Sequence, residues 1–256
     1  MNKFLKFRYF ITLTLQTLIA FSALGGSAFA LICLERQNTA LATPKQSRWD
    51  ETAPLVIVDA GHGGHDGGAV ANGIIEKNLA LDLARRLQRE LESAGLRVRM
   101  TRSGDTFLSL EERAALAGTH QAAAFVSVHL NTDGEGSSAE GIETYFAEAQ
   151  PLSARQFTQT SSGTKTVTSA DFASTVQRMT CTTTKAQNRG TKARSYAVVA
   201  QAPCPAVLVE CGFITSATES ARIKRDAYRD QIAAGIARGV VLFLETQPKL
   251  VAEVTR

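Results

Sequence analysis

Short apolar runs alternate with helical patterns along most of this chain, and this alternation limits the folds open to it. Residues 55–58 form a continuous apolar run, typical of a buried strand, that ends in a glycine-rich turn. Leucines then recur every fourth residue from Leu79 to Leu91, which predicts an amphipathic helix that stops at Gly95. The alternation predicts an α/β fold with a mostly parallel central sheet flanked by helices on both faces.

Similar patterns continue towards the end of the chain. Ser109 and Glu112 have the spacing of a capping box and predict the start of a short helix. A last helix is predicted from apolar residues at 228, 232, 236 and 240. A chain of 256 residues is most simply one domain with appendages, and we expect that domain over residues 54–247. We find no internal repeat. The remaining predicted strands are 96–101, 124–128, 142–146 and 206–209.

Composition excludes several classes of protein. With 44% apolar residues, 19 glycines and 4 cysteines in 256 residues, the chain is not collagen-like, a coiled coil or a small disulfide scaffold. Its formal net charge of +4 is mildly basic and suits an anionic polymer or surface. This charge does not by itself indicate nucleic acid, and we expect no nucleic-acid partner.

The N-terminus has the pattern of an export signal. Lys3, Lys6 and Arg8 precede an uncharged apolar run at 9–24, and Ala28-Phe29-Ala30 has the shape of a cleavage site. We therefore expect a periplasmic or extracellular protein. Apolar residues continue to Leu34, so an uncleaved membrane anchor is the alternative. The expected segments are a signal peptide at 1–30, a linker at 31–53 and a C-terminal tail at 248–256.

Cysteine spacing argues against a structural zinc knuckle. Cys33, Cys181, Cys204 and Cys211 form no CxxC pair. An oxidising compartment would permit one disulfide, for which Cys181 with Cys204 is a candidate, but the sequence leaves the pairing open.

One segment departs from the alternating pattern. Residues 158–169 contain eight Ser or Thr, and a short helix is predicted at 171–179. The surroundings are basic, since only Asp171 is acidic between Ala149 and Gly190. This segment is either a solvated surface insertion or a basic rim that handles a carboxylate-bearing substrate. Its basic residues are Arg155, Lys165, Arg178, Lys185 and Arg189.

Four side chains lie where predicted strands end or a helix begins. His62, His129 and Glu210 each follow a predicted strand, and Glu76 lies at the front of the first helix. Ligands of open α/β sheets bind at the carboxyl ends of the strands. We therefore expect all four side chains to face one crevice.

Two imidazoles and one carboxylate are a sufficient ligand set for catalytic zinc, with a fourth position open for water. We assign His62, Glu76 and His129 as ligands, and Glu210 as the base that takes a proton from the water and returns it to a leaving nitrogen. Taken singly, each residue has another interpretation: a surface histidine, a first-turn charge or a core histidine. The conjunction of the four favours the metal site.

The sequence lacks the motifs of two other kinds of site. HExxH, the common metalloprotease pattern, is absent. The glycine-rich turn at 61–64 is not followed by Gly-Lys-Ser/Thr, which argues against a phosphate-binding loop.

Several motifs follow one another in order along the chain. They are Val58-Asp59-Ala60-Gly61-His62-Gly63-Gly64 with Asp66 and Gly68, Glu76-Lys77-Asn78, Thr101-Arg102, Ser127-Val128-His129-Leu130-Asn131, Gly141-Ile142-Glu143-Thr144-Tyr145 and Pro205-Ala206-Val207-Leu208-Val209-Glu210-Cys211-Gly212-Phe213. Their order resembles that of the zinc-dependent N-acetylmuramoyl-L-alanine amidases of bacterial cell walls, the amidase-3 type, and the resemblance extends over residues 55–244.

This resemblance implies zinc on the residues already assigned and hydrolysis of the amide between the muramic-acid lactyl group and L-alanine of the stem peptide. It implies peptidoglycan as the partner, and an activator protein is left open as a second one. Asp59, Asn131 and Glu143 occupy family motif positions, either to orient ligands or substrate or as scaffold. A catalytically inactive peptidoglycan-binding module on the same fold is the alternative function.

Overall fold

The computed structural model describes residues 52–150 and 168–247. The predicted signal peptide or anchor, nearly all of the linker, the C-terminal tail and most of the Ser/Thr-rich segment lie outside these residues. None of the described helices is long and apolar enough to cross a membrane.

A six-stranded sheet forms the centre of the described domain. Its strand order is β4-β1-β5-β8-β6-β7, and all neighbours are parallel except β6 and β8. Strands β2 and β3 form a separate small hairpin. The strands are β1 Leu55–Ala60, β2 Val70–Ala71, β3 Ile74–Ile75, β4 Arg97–Met100, β5 Ala124–Asn131, β6 Ile142–Phe146, β7 Asn188–Ala193 and β8 Ala206–Phe213.

Helices cover both faces of this sheet, as predicted. Helices α1, α3 and α6 pack on one face around the larger apolar core, while α2 and α4 cover part of the other. The predicted capping box at Ser109 and Glu112 starts α2. The helices are α1 Glu76–Ser93, α2 Leu110–Thr119, α3 Ser169–Thr184, α4 Ala197–Ala200, α5 Ala217–Ile223 and α6 Asp226–Thr246.

Helix α3 is much longer than the predicted helix at 171–179. A capping box of Thr168 and Asp171 starts it, and it continues to Thr184 although it is rich in Thr. It packs closely along α6, where a Cβ on Gly235 would lie 2.7 Å from the Cα of Thr180. Tertiary packing therefore outweighs the weak helix propensity of this segment.

Strands β5 and β8 extend beyond the predicted ends at 128 and 209. Their parallel register continues through His129 opposite Glu210, and Glu210 also lies opposite Glu143 on the antiparallel β6. His129 and Glu210 were predicted to follow these strands, and this prediction is wrong. Both residues lie within the strands, because pairing with neighbouring strands continues past them. They face the side covered by α2 and α4.

The disulfide considered for Cys181 and Cys204 does not form. Cys181, Cys204 and Cys211 are all buried free thiols. Cys181 belongs to the larger core and Cys204 to the smaller core. The sheet therefore lies between them.

A candidate metal centre beside a buried carboxylate

Three of the predicted site residues meet at one point. His62 comes from the loop after β1, Glu76 is the first residue of α1, and His129 lies in β5. One potential ligand atom from each lies within 4.8 Å of the other two. Among the described residues, this is the group of His, Cys, Asp or Glu side chains whose spacing could hold a metal ion.

Glu76 is the centre of this group. Its Oε1 lies 3.1 Å from Nε2 of His62 and 3.0 Å from Nδ1 of His129, and it accepts a hydrogen bond from the backbone N–H of Leu130. Its Oε2 accepts the backbone N–H of Ala69. Burial acts to raise the pKa of Glu76, but the hydrogen bonds from the two imidazoles outweigh it and lower the pKa far below 4.5. Glu76 is therefore held as a carboxylate.

Asp66 orients the imidazole of His62. Its Oδ2 lies 2.8 Å from Nδ1 of His62, so the opposite nitrogen faces Glu76. Carboxylates commonly fix metal-binding imidazoles in this way. From the sequence, Asp66 was recognised only as part of a motif. In a loop, a spacing of four residues does not show whether the side chains of His62 and Asp66 meet.

Glycines leave the space that the group needs. His62 itself has φ of 60°, in the left-handed region, and Gly63 follows with φ of 130°. A Cβ on Gly68 would lie 2.7 Å from both Oε2 of Glu76 and Cδ2 of His62, and one on Gly61 would clash with the imidazole of His129. Side chains at either position would fill the ligand cradle.

Two buried arginines hold the loop that carries His62. Arg102 donates to the backbone oxygens of Ala60 and Gly61. Arg113 donates to those of Ala60 and His62 and pairs with the buried carboxylate of Asp59 at 2.9 Å. Asp59 thus lies under this loop. No role was predicted for the two arginines, because helical and strand patterns do not distinguish a buried Arg from a solvated one.

Glu210 lies across the strand register from His129. Its Oε2 is buried and has no hydrogen-bond partner in the described part of the chain. Burial raises the pKa of Glu210 to about 7, against the lowering effect of His129. A carboxylate in this state can accept a proton near neutral pH. Glu210, His62, Glu76 and His129 line one cavity of about 320 Å³.

The other two predicted residues lie beside this cavity. Asn131 lines it and donates from Nδ2 to Oε1 of Glu143 at 2.6 Å. Glu143 is buried one strand away from Glu210. It accepts hydrogen bonds from Tyr145, Arg189 and Lys192. From the sequence, Tyr145 was recognised only within a motif and Arg189 only within a basic segment, and Lys192 was not recognised.

The sequence model of the Amidase_3 family, described as N-acetylmuramoyl-L-alanine amidase, matches residues 56–241. The chain belongs to this family. The predicted resemblance is confirmed, and so is the class of enzyme, an N-acetylmuramoyl-L-alanine amidase.

Curated relatives agree with this amidase assignment. The N-acetylmuramoyl-L-alanine amidase LytC of Bacillus subtilis is 33% identical over 188 residues, which are 73% of this chain and 35% of LytC. The chain thus spans about a third of the length of LytC. AmiA of Escherichia coli is 30% identical, over 74% of this chain and 75% of AmiA.

Solved amidase structures share the fold. The N-acetylmuramoyl-L-alanine amidase from Clostridium difficile 630 superposes with a TM-score of 0.67 at 34% identity, covering 77% of this chain and 99% of that one. AmiC2 of Nostoc punctiforme gives a TM-score of 0.65 at 29% identity, covering 75% and 97%. The predicted fold class is therefore confirmed.

Proposed function

We propose that this amidase is a zinc-dependent hydrolase in which His62, Glu76 and His129 hold the metal and Glu210 is the general base. The observation that carries the proposal is the buried Oε2 of Glu210, which has no hydrogen-bond partner among the described residues and lies in the same cavity as the three ligand candidates. Burying a carboxylate oxygen without a hydrogen-bond partner lowers the stability of the protein. A functional requirement would explain why such a group is kept.

The donor set fits zinc. Imidazole nitrogens and a carboxylate oxygen are ligands that zinc accepts, and three protein ligands are typical of its catalytic sites. The convergence of two imidazoles on one carboxylate, with glycines leaving the adjoining space, supports the fit. When bound, zinc supplies Lewis-acid activation of water and of the amide carbonyl.

The residues of the chain account for the proton transfers. Oε2 of Glu210 takes the proton from the attacking water, and it then returns that proton to the nitrogen that leaves. Burial, which raises the pKa of Glu210, favours its uptake of the proton from water. Asp66 keeps the imidazole of His62 oriented through the cycle.

Peptidoglycan is the substrate, and the bond cleaved is the amide between the lactyl group of N-acetylmuramic acid and L-alanine of the stem peptide. This assignment follows the family and its named members. An inactive wall-binding module on this fold is the alternative, but it would be expected to lack a ligand or the base. All four residues are present here.

We further propose that the amidase is exported, with residues 1–30 as a signal peptide or uncleaved anchor and 31–53 as a linker to a catalytic domain at 54–247. An activator protein is part of this proposal. The CwlD amidase of Clostridioides difficile, 26% identical, has been solved in complex with the GerS lipoprotein.

Mass spectrometry of purified sacculi treated with the protein tests this function. We expect released stem peptides with a free N-terminal L-alanine, loss of release in a chelator and its return with added zinc. Glu210→Ala is the control, expected to bind sacculi without releasing peptides. Wall binding by the metal-loaded wild-type protein without any release would instead favour the binding module.

A further inference from the structure

Two cationic side chains of β7 converge on one carboxylate beside the cavity. Nε of Arg189 lies 3.0 Å and Nζ of Lys192 lies 2.6 Å from the same oxygen, Oε2 of Glu143. Glu143 is 2% exposed at its side chain, whereas the two cations are 30% and 39% exposed. Each cation therefore contacts both the buried carboxylate and solvent.

An irregularity in β7 brings these cations to one side of the sheet. Residues three apart on a regular strand point to opposite faces. Here the register against β6 shifts between Ile142 and Thr144, and Gly190 has φ of 80°. Such irregularities commonly redirect side chains near functional sites.

Aromatic rings also hold the side chains of Arg189 and Lys192 in place. The guanidinium of Arg189 lies 4.6 Å from the centroid of the Phe213 ring, and Nζ of Lys192 lies 5.6 Å from that of Tyr145. Cations above aromatic faces are attracted by the ring electrons. Both donors are thus positioned before any ligand arrives.

The charges of this cluster do not cancel. Glu143 supplies one negative charge to two positive ones, and its Oε1 already accepts hydrogen bonds from Asn131 and Tyr145. Within the described residues one positive charge remains. Arg189 also donates to the backbone oxygen of Glu140, and the other N–H groups of these partly exposed side chains have no partner there. The cluster is suited to an additional anion.

The strand order gives an approximate distance between this cluster and Glu210. Glu210 lies on β8, and β6 alone separates β8 from β7. Two strand spacings are about 10 Å, which an extended peptide covers with about three residues. Asn131, which lines the cavity and contacts Glu143, connects the two places.

We propose that Arg189 and Lys192 form a carboxylate-binding subsite for the peptide part of the substrate, two or three residues beyond the scissile amide. This inference rests on the proposed function, since it takes the substrate to be a muramoyl peptide. The subsite makes the amidase selective for stem peptides whose second or third residue bears a free carboxylate.

Paired synthetic substrates test the subsite. N-acetylmuramoyl tripeptides that differ only in a free or amidated carboxylate at the second residue, and a matching pair at the third, are hydrolysed by the zinc-loaded protein. We expect kcat/KM to be about tenfold higher for the free carboxylate in at least one pair, the value of a charge-assisted hydrogen bond. In Arg189→Gln and Lys192→Gln this preference falls towards one, mainly through KM.

Arg178→Gln is the matched control. It removes one positive charge from an exposed position on α3, which packs on the opposite face of the sheet. This variant should keep the wild-type preference. Equal kcat/KM for both members of each pair in the wild type, or a preference retained in both β7 variants, would overturn the subsite.

Calorimetric binding of the free peptides separates this inference from the proposed function. If no substrate is hydrolysed, the proposed function fails, but the carboxylate peptide should still bind about tenfold more tightly than its amide. Equal binding of the two peptides would overturn the subsite even if both substrates are cleaved.

Discussion

The two faces of the central sheet differ in chemistry although they are built from the same strands. Along β5, Val126, Val128 and Leu130 enter the large apolar core under α1, α3 and α6. The residues between them, among them Ser127 and His129, face the other side. Successive side chains of a strand point to opposite faces, so one strand serves both purposes. The larger apolar core lies on one face, and the candidate site lies on the other together with a smaller core.

Polar groups of the second face are nearly all paired. Asp59 has Arg113, Glu143 has two cations, and Glu76 has both imidazoles. Glu210 differs, because its Oε2 has no partner in the described residues. This contrast supports the proposed role of Glu210 as the general base.

The largest expected effect concerns the apolar face. Phe172 is fully buried and stacks on Phe243 with a centroid separation of 4.3 Å. Phe172→Ala should lower the free energy of unfolding by about 3–5 kcal/mol, because it leaves a cavity. Urea unfolding measures this. Phe107→Ala, in an exposed loop outside both apolar cores, should change it by less than about 0.5 kcal/mol. Similar losses in the two variants would contradict the importance of the larger core.

A smaller loss is expected for the buried ion pair of the polar face. Asp59→Asn removes the charge that Arg113 pairs with at 2.9 Å, and should lower the free energy of unfolding by about 3 kcal/mol. Asp226→Asn is the control. It weakens surface ion pairs with Arg86 and Arg229 and should cost at most about 1 kcal/mol. If the two substitutions have equal effects in thermal or urea unfolding, Asp59 does not support the loop.

The next prediction concerns Asp66, whose substitution should lower zinc affinity but have little effect on the stability of the protein. Asp66→Asn weakens the hold on Nδ1 of His62 and should reduce zinc affinity about ten- to hundredfold, as measured by competition with a chelator. Asp105→Asn is matched to it, since Asp105 accepts from the backbone of Gly64 in the same loop without touching an imidazole. Equal zinc affinity in both variants would remove the orienting role of Asp66.

The smallest effect is a pH dependence of the metal-free protein. Burial lowers the pKa of His62 and His129, but Glu76 outweighs it and raises both above 6.5. The stabilisation by the imidazoles is therefore complete below pH 6.5 and is lost as the pH rises through the raised pKa values. For Glu76, whose pKa is lowered, stabilisation is present above pH 4.5 and is lost as the pH falls.

Urea unfolding of chelator-treated protein at pH 6 and pH 8.5 measures this dependence. We expect lower stability at pH 8.5, and a smaller difference in Glu76→Gln, which lacks the charge that raises the pKa of both imidazoles. Part of the decrease should remain in this variant, because ionisation of Glu210, whose pKa burial raises to about 7, also lowers stability over this range. A decrease of the same size in this variant would show that other groups cause it.

Much of the sheet and the core of the site could be predicted from sequence for a physical reason. Continuous apolar runs mark buried parallel strands, and the ends of parallel strands meet at one edge. From that rule alone, His62, His129 and Glu210 were predicted to lie close together. It did not predict that β5 and β8 extend past them, because a polar residue inside a paired strand has no separate signal in the sequence.

Other features could not be predicted because they depend on contacts between distant parts of the chain. Strand β7 reads NRGTKA and lacks apolar alternation, since it is an edge strand, so Lys192 was not recognised. Arg102 is buried only because backbone oxygens of a distant loop surround it. The length of α3 depends on its packing against α6.

Zinc binding to the purified protein tests the central claim most directly. Equilibrium dialysis with elemental analysis should give one zinc per chain for the wild type and for Glu210→Gln. His129→Ala and Glu76→Ala should lose it while their circular dichroism spectra stay native. A wild-type protein without bound zinc, or a His129→Ala variant with undiminished stoichiometry and affinity, would contradict the proposed metal centre.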